Sequence, residues 1–285
     1  MKKFSEIAMK VVFLLSACIS IVAVLLICLF LFANGIPTIG EIGPLNFLLG
    51  TTWRPGNDIY GILPMILGSV YVTAGAIIIG VPIGVLCAVF LASYCPKKLY
   101  TFLKPAVDLL AGIPSIVYGF FGLVVIVPIL QNLVGDGFSG KSILTASILL
   151  GIMILPTIIS VTESSLRAVP PQYYEGALAL GATKERSIFR ASMPAAKSGI
   201  TAGIILGVGR AIGEAMAITW IAGNQAVIPT SIFDGARTLT ANIVLEMGYA
   251  SDLHRDALIA TAVVLFVFIL IINLCFSMLK RRNKT

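Results

Sequence analysis

An arginine and a glutamate stand inside a strongly apolar stretch of this 285-residue sequence, in Gly209-Arg210-Ala211-Ile212-Gly213-Glu214. A charge at the centre of a bilayer costs about 2.5–3.5 kcal/mol on insertion scales, so such side chains look into the protein or a water-filled path. At about 100° per residue, Gly199, Gly203, Gly207, Arg210 and Glu214 fall within an arc of about 80° on one helix face. The glycine spacing lets another helix approach closely. A guanidinium suits an oxyanion because its planar fork donates two parallel hydrogen bonds, and a nearby carboxylate keeps such a site from trapping the anion. Arg210 and Glu214 are also one turn apart, the spacing of an internal ion pair that only locks packing. The residues alone leave both readings open.

Other candidate chemistry is thinner. Gly135-Asp136-Gly137-Phe138-Ser139-Gly140-Lys141-Ser142 satisfies the phosphate-loop pattern G-x-x-x-x-G-K-[ST]. That loop needs a preceding strand in an α/β sheet, whereas this octet joins two apolar runs, so it reads as a glycine-rich turn. The only histidine, His254, stands beside Arg255 and Asp252 with no clustered ligand or nucleophile and reads as a surface or packing residue. Cys18, Cys28, Cys87, Cys95 and Cys275 lie inside apolar runs or, for Cys95, at the end of one. They lack metal-ligand spacing and read as buried free thiols. No metal, cofactor or catalytic cluster is implied.

The elements that must position Arg210 and Glu214 follow from composition. Hydrophobic residues make up 58% and charged residues 12% of the chain, against about 25% charged in an ordinary soluble domain, and the mean hydropathy is +1.01. Apolar runs at about 11–33, 64–93, 105–131, 143–166, 199–222 and 256–279 are each long enough to cross a hydrocarbon core of about 30 Å. The expectation is an all-α membrane protein with six transmembrane helices in a single domain over 1–285. The first run follows Lys2, Lys3 and Lys10 but exceeds a signal-peptide core and lacks a cleavage motif, so it reads as a retained anchor. Fifteen of the 20 Lys and Arg residues precede the first run, lie between runs two and three or four and five, or fall in the tail. The positive-inside rule then makes both termini cytoplasmic. The net charge of +7 is a topology signal, because the basic residues form no aromatic-studded face for nucleic acid.

Runs two to four contain Pro82, Pro114, Pro128 and Pro156 with Gly80, Gly84, Gly112, Gly119 and Gly122 nearby, a composition that kinks helices around a pathway or merely reflects membrane-helix usage. Glu163 and Asp108 fall near the cytoplasmic ends of runs four and three, facing water or interfacial partners. The cytoplasmic segment 167–198 reads as two short helices: Pro170 and Pro171 start the first, Glu175 suits its first turn, Gly181 ends it, and Thr183 caps a second running toward Pro194. On the opposite side Thr238–Tyr249 reads as a short helix covering the pathway, receiving a partner, or capping the bundle.

The spacing of Glu175, Ala177, Gly181 and Pro194 resembles the EAA motif of ABC-importer permeases, with Gly176, Ala191 and Met193 departing from it. Further stretches resemble the phosphate-importer permeases, the PstC type more than the PstA type. They are Trp53-Arg54-Pro55 and Tyr60-Gly61-Ile62-Leu63-Pro64, Leu110-Ala111-Gly112-Ile113-Pro114-Ser115-Ile116-Val117-Tyr118-Gly119, and Gly209 through Ala217. The resemblance covers about residues 50–280.

It implies a type I ABC-importer permease fold in the bacterial inner membrane and a non-catalytic subunit of an ATP-driven phosphate importer. Arg210 and Glu214 would line the anion path, and Glu175, Ala177, Gly181 and Pro194 would couple to the ATPase. The implied partners are a second permease in a heterodimer, two copies of a cytoplasmic ATP-binding subunit, an external phosphate-binding protein and membrane lipids. Sulfate or molybdate would also suit an arginine-lined path, and a passive channel or scaffold would explain the kinks but not the EAA-like segment.

Overall fold

A chain this apolar satisfies its backbone polar groups internally by coiling into helices. The computed structural model describes residues 2–135 and 137–282, and it is helical along most of them. The chain opens with α1 (Lys2–Ile42) and α2 (Pro44–Leu49), followed by a hairpin of β1 (Trp53–Arg54) and β2 (Ile59–Tyr60), antiparallel with Trp53 opposite Tyr60. Next come α3 (Leu63–Val89), α4 (Lys97–Gly112), α5 (Ser115–Phe121), α6 (Val127–Val134) and α7 (Ile143–Arg167). A segment of short helices follows with α8 (Pro171–Ala179), α9 (Lys184–Ser187) and α10 (Met193–Ala195). The remaining elements are α11 (Lys197–Gly213), α12 (Met216–Ile221), α13 (Leu239–Glu246) and α14 (Asp252–Arg282).

Among the described residues five helices are long and apolar enough to cross a membrane: Met9–Ile42, Leu63–Tyr94, Ser115–Val134, Ile143–Arg167 and Asp252–Cys275. Lys184–Ala195 and Lys197–Gly213 qualify only as a pair, bent by 73°.

The centre of the bundle is α7, whose Leu149, Leu150, Met153, Ile154 and Ile158 are fully buried or nearly so. Two helices reach it through glycines. On α3, a Cβ at Gly80 would stand 2.8 Å from the Gly151 carbonyl oxygen, and one at Gly84 2.8 Å from Ile158. On α11, a Cβ at Gly199 would stand 2.0 Å from Ser165 Oγ, at Gly203 3.2 Å from Thr162 Oγ1, and at Gly207 2.8 Å from Ile158. The glycine stripe is thus the surface on which α11 lies against α7, where backbones come close enough for dispersion to hold helices that lipid would otherwise solvate equally well. At the periphery α1 touches α14 through Gly35 and the edge-on pair Phe32 and Phe266, 5.7 Å between ring centroids, and leaves an exposed apolar surface from Val11 to Phe30.

Three π-helical turns, Phe90–Tyr94, Gly122–Ile126 and Ile188–Ser192, each end two residues before a proline: Pro96, Pro128 and Pro194. Proline has no N–H to donate to the preceding turn and its ring collides with the carbonyl there, and one extra residue in the turn relieves both problems.

Two of the six runs read as continuous are interrupted. The run at about 105–131 breaks at Ile113-Pro114, because proline disfavours a helical conformation at the residue before it. The run at about 199–222 breaks at Glu214-Ala215, where Glu214 turns extended with φ −71° and ψ 127°. All five cysteines are free, and they lie exposed or half-exposed on the bundle rather than buried. On a membrane-spanning bundle a small thiol is as compatible with lipid as with the core.

Candidate functional site

The two breaks come together. Ser115, the first residue of α5, donates from Oγ to Glu214 Oε2 at 3.0 Å, and Glu214 Oε1 accepts from the Ala217 amide of α12, also at 3.0 Å. The helices that follow the breaks pack closely: a Cβ at Gly119 would stand 2.9 Å from Ala217 Cα. Orphaned backbone groups at each interruption have partners, as burial in a membrane requires. The Leu110 carbonyl accepts from Tyr118 Oη at 2.8 Å and the Ile113 amide at 3.4 Å, while the Glu214 carbonyl accepts from Thr240 Oγ1 of α13 at 2.8 Å. Glu214 itself is 7% exposed.

This geometry separates Arg210 from Glu214. Arg210 remains in the last turn of α11, half-buried, and among the described residues it takes part in no ion pair. The i,i+4 pairing that a continuous helix would allow is absent because Glu214 has left the helix to cap α12. Along α11 beside Arg210 the molecule is open: a Cβ added at Gly209 or Gly213 would meet nothing within 4 Å, and the same holds at Gly112 at the end of α4. A guanidinium without a carboxylate partner, beside two interrupted helices, can take up an oxyanion through its own fork.

The segment from α8 to α10 is built by its turn chemistry. Gly181 adopts φ +84°, a left-handed conformation suited to glycine. The Ala182 amide then donates to the Ala177 carbonyl at 3.1 Å and the Gly181 amide to the Leu178 carbonyl at 2.9 Å, closing α8 in a Schellman motif. Thr183 Oγ1 accepts from the Arg186 amide at 3.3 Å and caps α9. Glu175 is exposed, Ala177 half-exposed and Pro194 exposed, and none of the residues of α8 is buried. Leu180, at the tip of the turn, is 91% exposed. Beneath it Leu166, Ile188 and Ala196 join Val89 in an apolar cluster that seats the segment on the ends of α3 and α7.

Glu163 does not face water. It is 2% exposed, accepts from Tyr100 Oη at 3.0 Å and from Arg167, and lies 3.9 Å from Lys104 Nζ. Lys104 also holds Asp108 at 2.9 Å. Burial of a carboxylate here is compensated by two cations and a phenol. Sequence reading also missed Ser115 and Thr240, which bind Glu214 from 99 and 26 residues away.

The phosphate-loop octet is a turn between α6 and α7 with Gly135, Gly137 and Gly140 at φ +100°, +89° and +73°; Asp136 lies outside the described residues. Helix α6 precedes it rather than a strand, and Ser142 is fully buried as the N-cap of α7, accepting from the Thr145 amide at 3.3 Å. The described residues of the octet form no nucleotide cradle.

Comparison with known proteins agrees with this architecture. Probable ABC transporter permease protein YqgH of Bacillus subtilis is 35% identical over 99% of this chain and 93% of its own length. Phosphate transport system permease protein PstC of Mesorhizobium japonicum is 38% identical over 85% of this chain and 80% of its own. The Haemophilus influenzae PstC is also 38% identical, over 78% and 76%. Among solved structures, an inward-facing conformation of the MetNI methionine ABC transporter matches with a TM-score of 0.64 at 19% identity, over 81% of this chain and 99% of that one. A bacterial ABC transporter for the acidic polysaccharide alginate matches at 0.61 and 16% identity, over 94% and 95%. These structural likenesses place the fold among ABC importer permeases. Residues 80–285 match the family described as binding-protein-dependent transport system inner membrane component, and the chain belongs to that family.

Proposed function

We propose that this chain is a permease subunit of an ATP-driven importer of inorganic phosphate and forms one side of the anion path. The observation that carries the reading is the junction of two interrupted helices at Ser115 and Glu214, beside an unpaired Arg210, in a chain 38% identical to phosphate transport system permeases. Membrane transporters place substrate at interrupted helices, where backbone groups freed from the helix meet a polar cavity. Arg210 supplies the positive centre, and Glu214 fixes the junction and limits how tightly an anion is held. The open space at Gly112, Gly209 and Gly213 supports a second permease subunit completing the path from the other side, in a heterodimer.

The chain hydrolyses nothing itself. Glu175, Ala177, Gly181 and Pro194 shape a segment that offers α8 and Leu180 to a cytoplasmic ATP-binding subunit present in two copies, with both termini on that side of the membrane. An external binding protein delivers the anion at the opposite end of the bundle. The test is reconstitution of the four-component complex with phosphate, sulfate or molybdate offered through the binding protein. Phosphate is expected to stimulate ATP hydrolysis and uptake. Stimulation by sulfate or molybdate alone would overturn the substrate, and hydrolysis unaffected by every anion would overturn the importer.

A further inference from the structure

At the end of the bundle opposite the coupling segment, one carboxylate holds four parts of the chain together. Glu246, the last residue of α13, is 6% exposed. Its Oε1 accepts from Arg237 Nη1 at 2.5 Å, and its Oε2 accepts from Trp53 Nε1 at 2.8 Å and lies 2.8 Å from His254 Nε2. Arg237 also donates to Asn242 Oδ1 and to the Asn224 carbonyl, both at 3.0 Å. Trp53 belongs to the hairpin, Arg237 to the stretch before α13, and His254 to the first turn of α14.

The other end of α13 reaches the junction. Thr238 Oγ1 caps the helix by accepting from the Ala241 amide at 3.2 Å, the Leu239 amide donates to Ser69 Oγ of α3 at 2.9 Å, and Thr240 Oγ1 donates to the Glu214 carbonyl. The second half of this eight-residue helix is inverted relative to an ordinary amphipathic one. Its buried side chain is Glu246, one turn on from the buried Asn242, while Val244 and Leu245 are exposed. Polar bonds to a buried carboxylate, rather than an apolar face, therefore fix where the second half of α13 lies.

We propose that Glu246 is a positioning residue for transport: by clamping the last turn of α13 it holds Thr240 on the Glu214 carbonyl and keeps the junction closed toward that end of the bundle. The proposal rests on the transport reading above. Release of the clamp frees α13 to swing, and the junction then opens without the binding protein.

The test uses the assembled importer with Glu246→Gln, which preserves shape and one acceptor but removes the charge that three donors share. Weakening a charge-assisted network of this kind is expected to speed amide exchange across α13 by about tenfold or more, with α7 unchanged. Coupled phosphate uptake is expected to fall while ATP hydrolysis without binding protein rises. Trp53→Phe, which removes a single donor and keeps a smaller aromatic ring, is expected to act in the same direction more weakly, and it decides the matter should Glu246→Gln fail to assemble. Unchanged exchange in α13, or faster exchange with uptake and basal hydrolysis both intact, overturns the proposal. Failure of the unmodified complex to move phosphate would instead overturn the importer reading, leaving the exchange comparison to judge the clamp.

Discussion

Replacement of Glu214 separates what the junction owes to geometry from what it owes to charge. The carboxylate accepts two hydrogen bonds, from Ser115 Oγ and the Ala217 amide, and bonds to a charged acceptor contribute about 1.5–3 kcal/mol each. Glu214→Ala removes both and uncaps α12, so a loss of about 3–5 kcal/mol is expected, less than strict additivity because the two bonds share one group. Glu214→Gln behaves differently. Its amide oxygen can still accept from Ala217 and its amide nitrogen can donate to Ser115, whose hydroxyl accepts as readily as it donates. The bridge survives at a cost of about 1 kcal/mol, while the negative charge disappears. Ser115→Ala leaves the cap on α12 and should cost about 1–2 kcal/mol.

Unfolding of the purified chain in mixed micelles gives the order Ala, Ser115→Ala, Gln from most to least destabilising, and uptake in the assembled complex should fall for Gln despite its intact fold. A coupling energy of about 1–2 kcal/mol is expected from the Ser115→Ala and Glu214→Ala cycle. Zero coupling, or a Gln variant as unstable as the Ala variant, would refute the bridge as the element that joins the two interrupted helices.

Four further outcomes are open to measurement. Arg210→Gln should abolish uptake in a complex that still assembles, and adding Glu214→Gln should not restore it, because the two side chains form no pair. Gly199→Ala places a Cβ 2.0 Å from Ser165 Oγ and 2.4 Å from its Cβ, so thermal unfolding should show a loss of about 1–3 kcal/mol, a cost absent at Gly209, where a Cβ meets open space. Lys141→Ala should leave uptake and ATP hydrolysis unchanged, and lost nucleotide binding would revive the phosphate loop. Asp234 accepts from the Thr230 and Ser231 amides and from Thr230 Oγ1, and these bonds hold its carboxyl below the ordinary aspartate range. Its contribution to the turn at 230–234 is thus complete above the unfolded value and lost only as pH falls through the lowered one, so the protection of the Thr230 and Ser231 amides, measured relative to the intrinsic exchange rate at each pH, should persist until that lowered value is reached.

Much of the scaffold was legible because it obeys local rules. The glycines at 199, 203 and 207 recur at one helix spacing, and a stripe of that kind has one physical use, close approach of another helix. Gly181 and Thr183 announced the end of α8 and the start of α9 through conformations and bonds set by their own side chains. The polar clusters were not legible. Glu246 and Trp53 are separated by 193 residues and Glu163 and Tyr100 by 63, and no period in the sequence reports a contact made by folding. Glu163 did carry one signal, Arg167 four residues on, but burial came from Tyr100 and Lys104 on another helix.

The two breaks show most sharply where periodicity stops being informative. Ile113 and Glu214 have nearly the same conformation, φ −70° and ψ 127° against φ −71° and ψ 127°, and each amide donates to the carbonyl three residues back, at 3.4 and 3.3 Å. At Ile113 the next residue is proline, a covalent cause that a sequence displays and that no rearrangement removes. At Glu214 no proline follows, and a helical wheel drawn through Gly213 continues unbroken. There the interruption is maintained by bonds that can be exchanged: the carboxylate on Ala217, Ser115 on the carboxylate, and Thr240 on the carbonyl. A fixed break thus faces an adjustable one across a single hydrogen bond. Of the two, only the Glu214 side can change its conformation by trading partners, so a rearrangement of this junction falls on α12 and α13 and leaves Pro114 as its fixed reference.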